Sequence, residues 1–327
     1  MNEFIEIETS TVFEKEKWNS LINNILVSVY MTWEYCNIFK EKYSNEINLL
    51  KISNKNSSLI VCYTSRSKII IQKDIYSIYG FGGLMFLGDK KDDLLNELKL
   101  YLKSKFVTTS FLLIHPKDYN ESFAENHRTT YVIDLNFELD ELWKKLHSNH
   151  KYEINRFKKL NEYKISFDKS ELFNDFKILY KETITRVSAS SVYDFSDEEL
   201  YNLFMSPLSF VSGVIFENKI QCIVMFLNNQ EWSEYFINAS SEIGRLASRL
   251  LIWETIIKLK EFGVKFLNLG GGVTEGDQLE NFKRRFGGQA QSSGIYKSII
   301  NQSQYNSLCE QFKVDLSSNY FPVYWKK

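Results

Sequence analysis

Between residues 47 and 114 the chain runs strand, turn, strand, glycine-broken strand material, helix, buried strand. Between residues 209 and 269 it runs through a similar series, at an offset of about 160 residues. In the first series, apolar stretches at about 47–53 and 58–64 flank Asn54-Lys55-Asn56. In the second, stretches at about 209–216 and 220–228 flank Glu217-Asn218-Lys219, and a further strand follows at about 231–239. Leu94, Leu95, Leu98 and Leu102 recur at helical spacing ahead of Phe111-Leu112-Leu113-Ile114. Likewise a long helix, Leu246 to Phe262, leads into the strand Lys265 to Leu269. Order and spacing agree together, with little residue identity, so the pattern predicts a duplicated α/β domain. The boundary falls just after Tyr131-Val132-Ile133-Asp134-Leu135, which gives an N-terminal domain of residues 1–136 and a C-terminal domain of residues 137–327. Ahead of the first series the spacing predicts a strand from Phe4 to Glu8 and helices at about 12–24 and 33–43. The second domain opens with helix-rich sequence from about 138 to 204.

Composition supports two cores and narrows the function classes. With 327 residues, 44% of them hydrophobic and 15% aromatic, the chain has material for two packed domains. A formal net charge of −1 argues against a whole-surface nucleic-acid footprint and leaves room for a local basic patch. The four cysteines (Cys36, Cys62, Cys222, Cys309) make no C-x-x-C pair, and the four histidines (His115, His127, His147, His150) show no ligand spacing, so no metal is expected. There is no G-x-S-x-G, P-loop or H-E-x-x-H. No apolar run reaches the length of a membrane span, so no integral membrane segment is expected. The acidic start Met1-Asn2-Glu3-Phe4-Ile5-Glu6 is unlike a signal peptide, and a cytoplasmic protein with reduced thiols is expected.

The chemistry concentrates where the last strand of the repeat runs out into Gly270-Gly271-Gly272. A short helix follows, Asp277-Gln278-Leu279-Glu280-Asn281-Phe282-Lys283-Arg284-Arg285-Phe286. One glycine would satisfy a turn; three suggest close backbone approach, to a ligand or to a neighbouring element. Asp277 and Glu280 form a capping-box-like pair. Leu279, Phe282 and Phe286 fall on one stripe, and Arg284 sits four residues after Glu280, at ion-pair spacing. Lys283 lies beside that stripe and can run its stem along apolar surface to aim its charge into an adjoining cleft. Three weaker constellations accompany it. Tyr79-Gly80-Phe81-Gly82-Gly83 reads as a bulge, a tight turn or a cleft-lining loop. Arg186 to Phe195 is an interhelix loop with an Arg and a Tyr, Tyr193, that could line a pocket. Ser240-Ser241-Glu242-Ile243-Gly244-Arg245 caps the long helix, at a place suited to phosphate although Glu242 opposes an anion.

Together these segments resemble the FemAB-like family of GNAT-fold transferases. The segment from Leu267, LNLGGGVTEGDQLENFKRRFGG, resembles that family's C-terminal motif, in which a strand ends in glycines and a helix carries FK..F before a glycine. YGFGG at 79–83 resembles a segment of the family's first domain. LWKKLHSNHKYEINRFKK resembles the basic helical opening of its second domain, and LYKETITRVSASSVYDFS the segment before that domain's sheet. The resemblance covers nearly the whole chain. It implies tandem GNAT domains around a shared cleft, each with a mixed sheet splayed between two central strands, and acyl transfer to an amine.

Carried over residue by residue, it implies that Lys283 stabilises charge on the donor or on the tetrahedral intermediate and that Tyr193 relays a proton. Gly270, Gly271 and Gly272 would approach the donor, with Ser240, Gly244 and Arg245 in the phosphate loop. Arg156, Arg186, Tyr79 and Gly82 would face the acceptor. GNAT enzymes that use acetyl-CoA usually show Arg/Gln-x-x-Gly-x-Gly/Ala before the long helix, and Glu242 to Ala247 keeps only part of it. The donor therefore stays open between acyl-CoA and aminoacyl-tRNA, each a substrate rather than a bound cofactor. The acceptor is a small-molecule, lipid-linked or nucleotide-linked amine, such as a cell-envelope precursor peptide or an amino sugar. The other reading is a catalytically silent double-GNAT protein that binds RNA, with tRNA as the partner, or another anion through basic residues between Lys144 and Lys159. Oligomeric state is left open.

Overall fold

A computed structural model describes residues 5–88, 91–159, 163–188 and 190–326. Phe4, at the start of the first expected strand, and Ala189, in the Arg186–Phe195 loop, lie outside the described residues. The chain forms two compact units, Met1–His127 with Ser292–Lys327, and Arg128–Gln291. The units differ from the contiguous halves 1–136 and 137–327, because the segment from Ser292 onward packs with the first unit.

The first unit contains β1 (Glu6–Thr11), α1 (Lys15–Leu21), α2 (Trp33–Ile38), β2 (Ile47–Ser53), β3 (Ser58–Arg66), β4 (Lys73–Tyr76), β5 (Leu84–Leu87), α3 (Lys91–Ser104) and β6 (Val107–Ile114). Its sheet runs β1-β2-β3-β4-β6, with β5 also on β3. All neighbours are antiparallel except β4 and β6, which are parallel. Asn54 makes the β2–β3 turn: its side-chain oxygen accepts from Asn56 N at 3.0 Å and Ser57 N at 2.8 Å. Leu94, Leu98 and Leu102 of α3 are fully buried against Leu50, Leu59, Val61 and Leu112. Each such leucine contributes roughly 1.5–3 kcal/mol.

The second unit takes in most of β7 (Glu125–Asp134), then α4 (Leu139–Lys145), α5 (Ser148–Lys158), β8 (Tyr163–Ser166), α6 (Lys169–Arg186), α7 (Asp197–Met205), β9 (Ser209–Phe216), β10 (Lys219–Asn229), β11 (Trp232–Ser240), α8 (Ser248–Glu261), β12 (Phe266–Asn268) and α9 (Gln278–Arg284). The sheet order is β8-β9-β10-β11-β12-β7, again antiparallel except for one pair, β11 and β12. Glu217 and Asn218, both at positive φ (52° and 58°), close the β9–β10 hairpin in two residues, the geometry that matches strand twist. Two further elements follow. In β13 (Gln289–Ile299), Gly294–Ile299 pair antiparallel with β6, and α10 (Gln302–Gln311) follows.

The duplication is therefore topological. In each unit three antiparallel neighbours lead to a parallel pair joined through a long helix, α3 or α8, and one antiparallel strand closes the sheet beyond it. Those closing strands come from distant sequence: β13 serves the first unit and β7 the second. β8, β13 and α10 are additions to the elements that patterning predicts, and the strand-like run at 69–87 divides into β4 and β5. Among the described residues, no helix is long and apolar enough to cross a membrane, and no cluster of metal-ligating side chains is present.

Candidate functional site

The parallel pairing of β11 with β12 lasts three residues, Trp232↔Phe266, Ser233↔Leu267 and Glu234↔Asn268. β11 then continues to Ser240, while the other strand stays with β7 through Leu269 N to Tyr131 O (2.9 Å) and Tyr131 N to Gly270 O (3.2 Å). The strands thus part at Glu234 and Asn268. Both side chains are buried, and Asn268 Nδ2 donates to Glu234 Oε2 at 2.9 Å. The Asn268 side-chain oxygen accepts from Gly270 N at 2.8 Å, which starts the glycine loop in a set direction.

The three glycines serve three different contacts. Gly270 stands at φ +70°, a conformation that disfavours a side chain. A Cβ at Gly271 would lie 2.1 Å from Thr129 O, and one at Gly272 would lie 2.5 Å from Asp277 Oδ1. The close approach expected from three glycines is, at Gly271 and Gly272, an approach to neighbouring protein. Asp277 caps α9, accepting from Glu280 N (2.7 Å), and also gathers Val273 N (2.7 Å) and Thr274 N (3.0 Å). Glu280 departs from the reciprocal capping box: it accepts from Gly276 N at 2.6 Å and from Tyr131 Oη at 2.8 Å. Its carboxylate is thereby engaged, and Arg284 bonds Asn281 Oδ1 (2.8 Å) in place of the expected Glu280 partner. Leu279 is exposed too, so the buried stripe of α9 begins at Phe282.

This stitching brings Lys283 inward. It is buried, its Nζ donates to Gly271 O at 2.7 Å, and the ammonium stands 5.6 Å from the Tyr235 ring of β11. The charge thus sits where β11 and β12 part. Burial, then the Arg128 guanidinium, lower its pKa to about 8, and Asp277 opposes them. Among the described residues its one hydrogen bond is to Gly271 O, and an ammonium has three donors.

Behind α9 lies a support that sequence reasoning passed over. His150 is buried, packs against Phe282 and Phe286, and shares a hydrogen bond of 2.9 Å between its Nε2 and Phe282 O. Arg249 Nε donates to His150 Nδ1 at 3.3 Å, so Nε2 carries the proton of a neutral ring. Its helical spacing with Ile154 and Phe157, both buried, was the available signal. Burial above all, aided by Arg249, lowers the His150 pKa to about 4. The unfolded ring takes a proton near pH 6.5 and the folded one only near 4. The contribution is therefore complete above 6.5 and is lost as pH falls through that window, a cost of as much as ~3 kcal/mol. Unfolding measured from pH 7 to 4 should show this loss in the wild type and a shallower one in His150→Gln; equal slopes would remove His150 as its source.

The other expected site residues are dispersed. Arg186 donates to Ser240 O (2.9 Å) and Ser240 Oγ (3.3 Å), tying α6 to the end of β11. Arg245 pairs with Glu242 at 2.8 Å. Gly244 is packed so that a Cβ would lie 1.8 Å from Gln221 O. The loop's N–H groups are spent locally: Gly244 N on Ser241 Oγ (2.9 Å), Arg245 N on Ser241 O (3.2 Å), Leu246 N on Ile243 O (3.2 Å) and Ala247 N on Gly244 O (2.9 Å). Arg156 is exposed, with Glu153 3.9 Å away. Tyr193 is partly exposed, and its carbonyl accepts from Tyr180 Oη at 2.5 Å. Tyr79 and Gly82 belong to the first unit; Tyr79 bonds Tyr35 and Tyr43 through its backbone, and a Cβ at Gly82 would strike Tyr30. Of the basic run, Lys158 pairs with Glu254 at 2.8 Å and Lys151 donates to Lys144 O at 2.9 Å.

No protein-family model matches the chain, and a comparison with curated proteins finds no match. Solved structures do match. FemX superposes with a TM-score of 0.65 at 12% identity, over 92% of this chain and 99% of that one. A conserved protein from Bacteroides thetaiotaomicron gives 0.61 at 10% identity, over 90% and 100%. The C-terminal domain assigned to a lysylphosphatidylglycerol synthetase from Agrobacterium fabrum gives 0.57 at 12%, over 90% and 94%. The chain therefore has the mixed α/β, tandem GNAT-like fold of FemX, the fold expected from its FemAB-like resemblance.

Proposed function

We propose that the chain is a transferase that moves an acyl or aminoacyl group onto an amine. The observation that carries this reading is the buried Lys283 ammonium, held by Gly271 O where β11 and β12 part. The acceptor nitrogen attacks the donor carbonyl carbon and a C–N bond forms. The developing oxyanion takes N–H groups of Lys283, the C–O bond of the ester breaks, and the amine's proton leaves with the departing hydroxyl. The preferred donor is an aminoacyl ester of tRNA. The N–H groups of residues 244–247 are already bonded, which leaves no cradle there for the pyrophosphate of coenzyme A. The acceptor is an amine on a small, lipid-linked or nucleotide-linked molecule of the cell envelope.

Purified chain should release deacylated tRNA from an aminoacyl-tRNA pool when an envelope-precursor amine is supplied, and should release little thiol from acyl-CoAs. Thiol release from acyl-CoA would overturn the donor assignment, and turnover with neither donor would overturn the transferase reading. A second reading, an RNA- or anion-binding protein without turnover, is favoured by one observation: a basic concavity lined by Lys145, His147, Arg284 and Arg285.

A further inference from the structure

The second unit carries an open concavity of about 390 Å³ lined by Lys145, His147, Arg284 and Arg285. Among the described residues the four lining side chains are all basic, in a chain with 40 Lys and Arg against 41 Asp and Glu, so the clustering is local. Elsewhere in this unit lysines meet carboxylates, as Lys158 meets Glu254 and Lys177 meets Asp197. Here they do not. Arg284 is held by the Asn281 amide oxygen at 2.8 Å, and Lys145 stands over the Phe137 ring at 3.1 Å. Among the described residues neither they nor Arg285 has a carboxylate partner.

The walls are fastened together. His147 N donates to Arg285 O at 2.9 Å, and His150 Nε2 donates to Phe282 O one turn earlier. Gly287, at φ +80°, lets the chain pass where a Cβ would lie 2.7 Å from the Lys145 carbonyl oxygen. His147 is also the N-cap of α5, whose positive end therefore faces this side, and its Nδ1 accepts from Asn149 N, which leaves Nε2 as a donor.

We propose that Lys145, His147, Arg284 and Arg285 form a binding site for clustered phosphates. The volume exceeds what a single phosphate fills, and two guanidinium groups suit bidentate contact with neighbouring phosphoryl oxygens. Such phosphates come from an RNA strand or from a nucleotide diphosphate. The site does not depend on the transferase reading, because it is measured as binding rather than turnover.

The test titrates the full chain with a fluorescent single-stranded 12-nucleotide RNA and, separately, with ADP. The variants are Arg284→Gln/Arg285→Gln and a control of equal charge change (Lys164→Gln/Lys219→Gln). Removing the two arginines should weaken the preferred ligand about tenfold or more. For RNA it should reduce the salt slope by about 0.7 for each phosphate no longer neutralised. The control should bind as wild type. Preference for RNA identifies a strand, and preference for ADP a nucleotide head group. No binding of either by wild type, or equal weakening in the control, overturns the site. Since these arginine side chains are exposed or half-exposed, the variants should keep the wild-type melting temperature. If they do not, Lys145→Gln, on the opposite wall, replaces them in the same test.

Discussion

Lys283→Met is expected to lower acyl transfer about 100- to 1,000-fold, the loss that follows removal of one charge-stabilising donor from a water-poor site. Methionine fills a similar volume, so the fold should persist. Stability offers a second readout. Burial places the lysine's pKa at about 8 when folded, against 10.5 ordinarily. Between those values the unfolded chain binds more protons, so this group makes stability rise with pH across the window. Below pH 8 the buried charge costs as much as ~3 kcal/mol. The methionine variant should therefore be at least as stable as wild type near neutrality, with the rise above pH 8 gone. Wild-type turnover should fall above pH 8 as the ammonium loses its proton. Unchanged turnover in the variant, with the donor that the wild type uses, would remove Lys283 from the mechanism.

Asp74→Ala should produce a large loss of stability in the first unit. Asp74, on β4, is buried, and its carboxylate accepts from Thr109 Oγ1 (2.6 Å), Tyr324 Oη (2.6 Å) and Trp325 Nε1 (2.7 Å). Those bonds anchor the chain's last turn on the sheet beside Leu308, Cys309 and Val323. Alanine leaves three donors without their acceptor, a cost of about 3 kcal/mol or more. The melting temperature of the first unit should fall by roughly 6–12 °C, and residues beyond Gln311 should become open to limited proteolysis. Asn, which keeps one acceptor oxygen, should lie between. A melting curve equal to wild type would show that the C-terminal turn contributes little.

Much of this arrangement is legible in the residues. The hairpins near 54 and 217 announce themselves through turn chemistry, and α3 through leucine spacing. Lys283 stands out from Arg284 and Arg285 because helical spacing puts it beside the apolar stripe, and it is the one of the three that is buried. Other features depend on partners far away in sequence. Helical spacing pairs Arg284 with Glu280, yet Tyr131 and Gly276 hold that carboxylate. The glycine run looks open to a ligand, yet Thr129 O and Asp277 fill the space at Gly271 and Gly272. His150 has no ligand spacing, and its part is to support α9.

Local patterning thus determined most of the elements, the repeated order and the identity of the inward-facing lysine, since periodicity and turn geometry are written within a few residues. Tertiary structure alone decided which strands close each sheet, where β11 and β12 part, and that the bases flanking α9 form one concavity. Those outcomes depend on contacts across more than a hundred residues of chain, such as His150 with Phe282 or Asp74 with Tyr324. No local propensity encodes them.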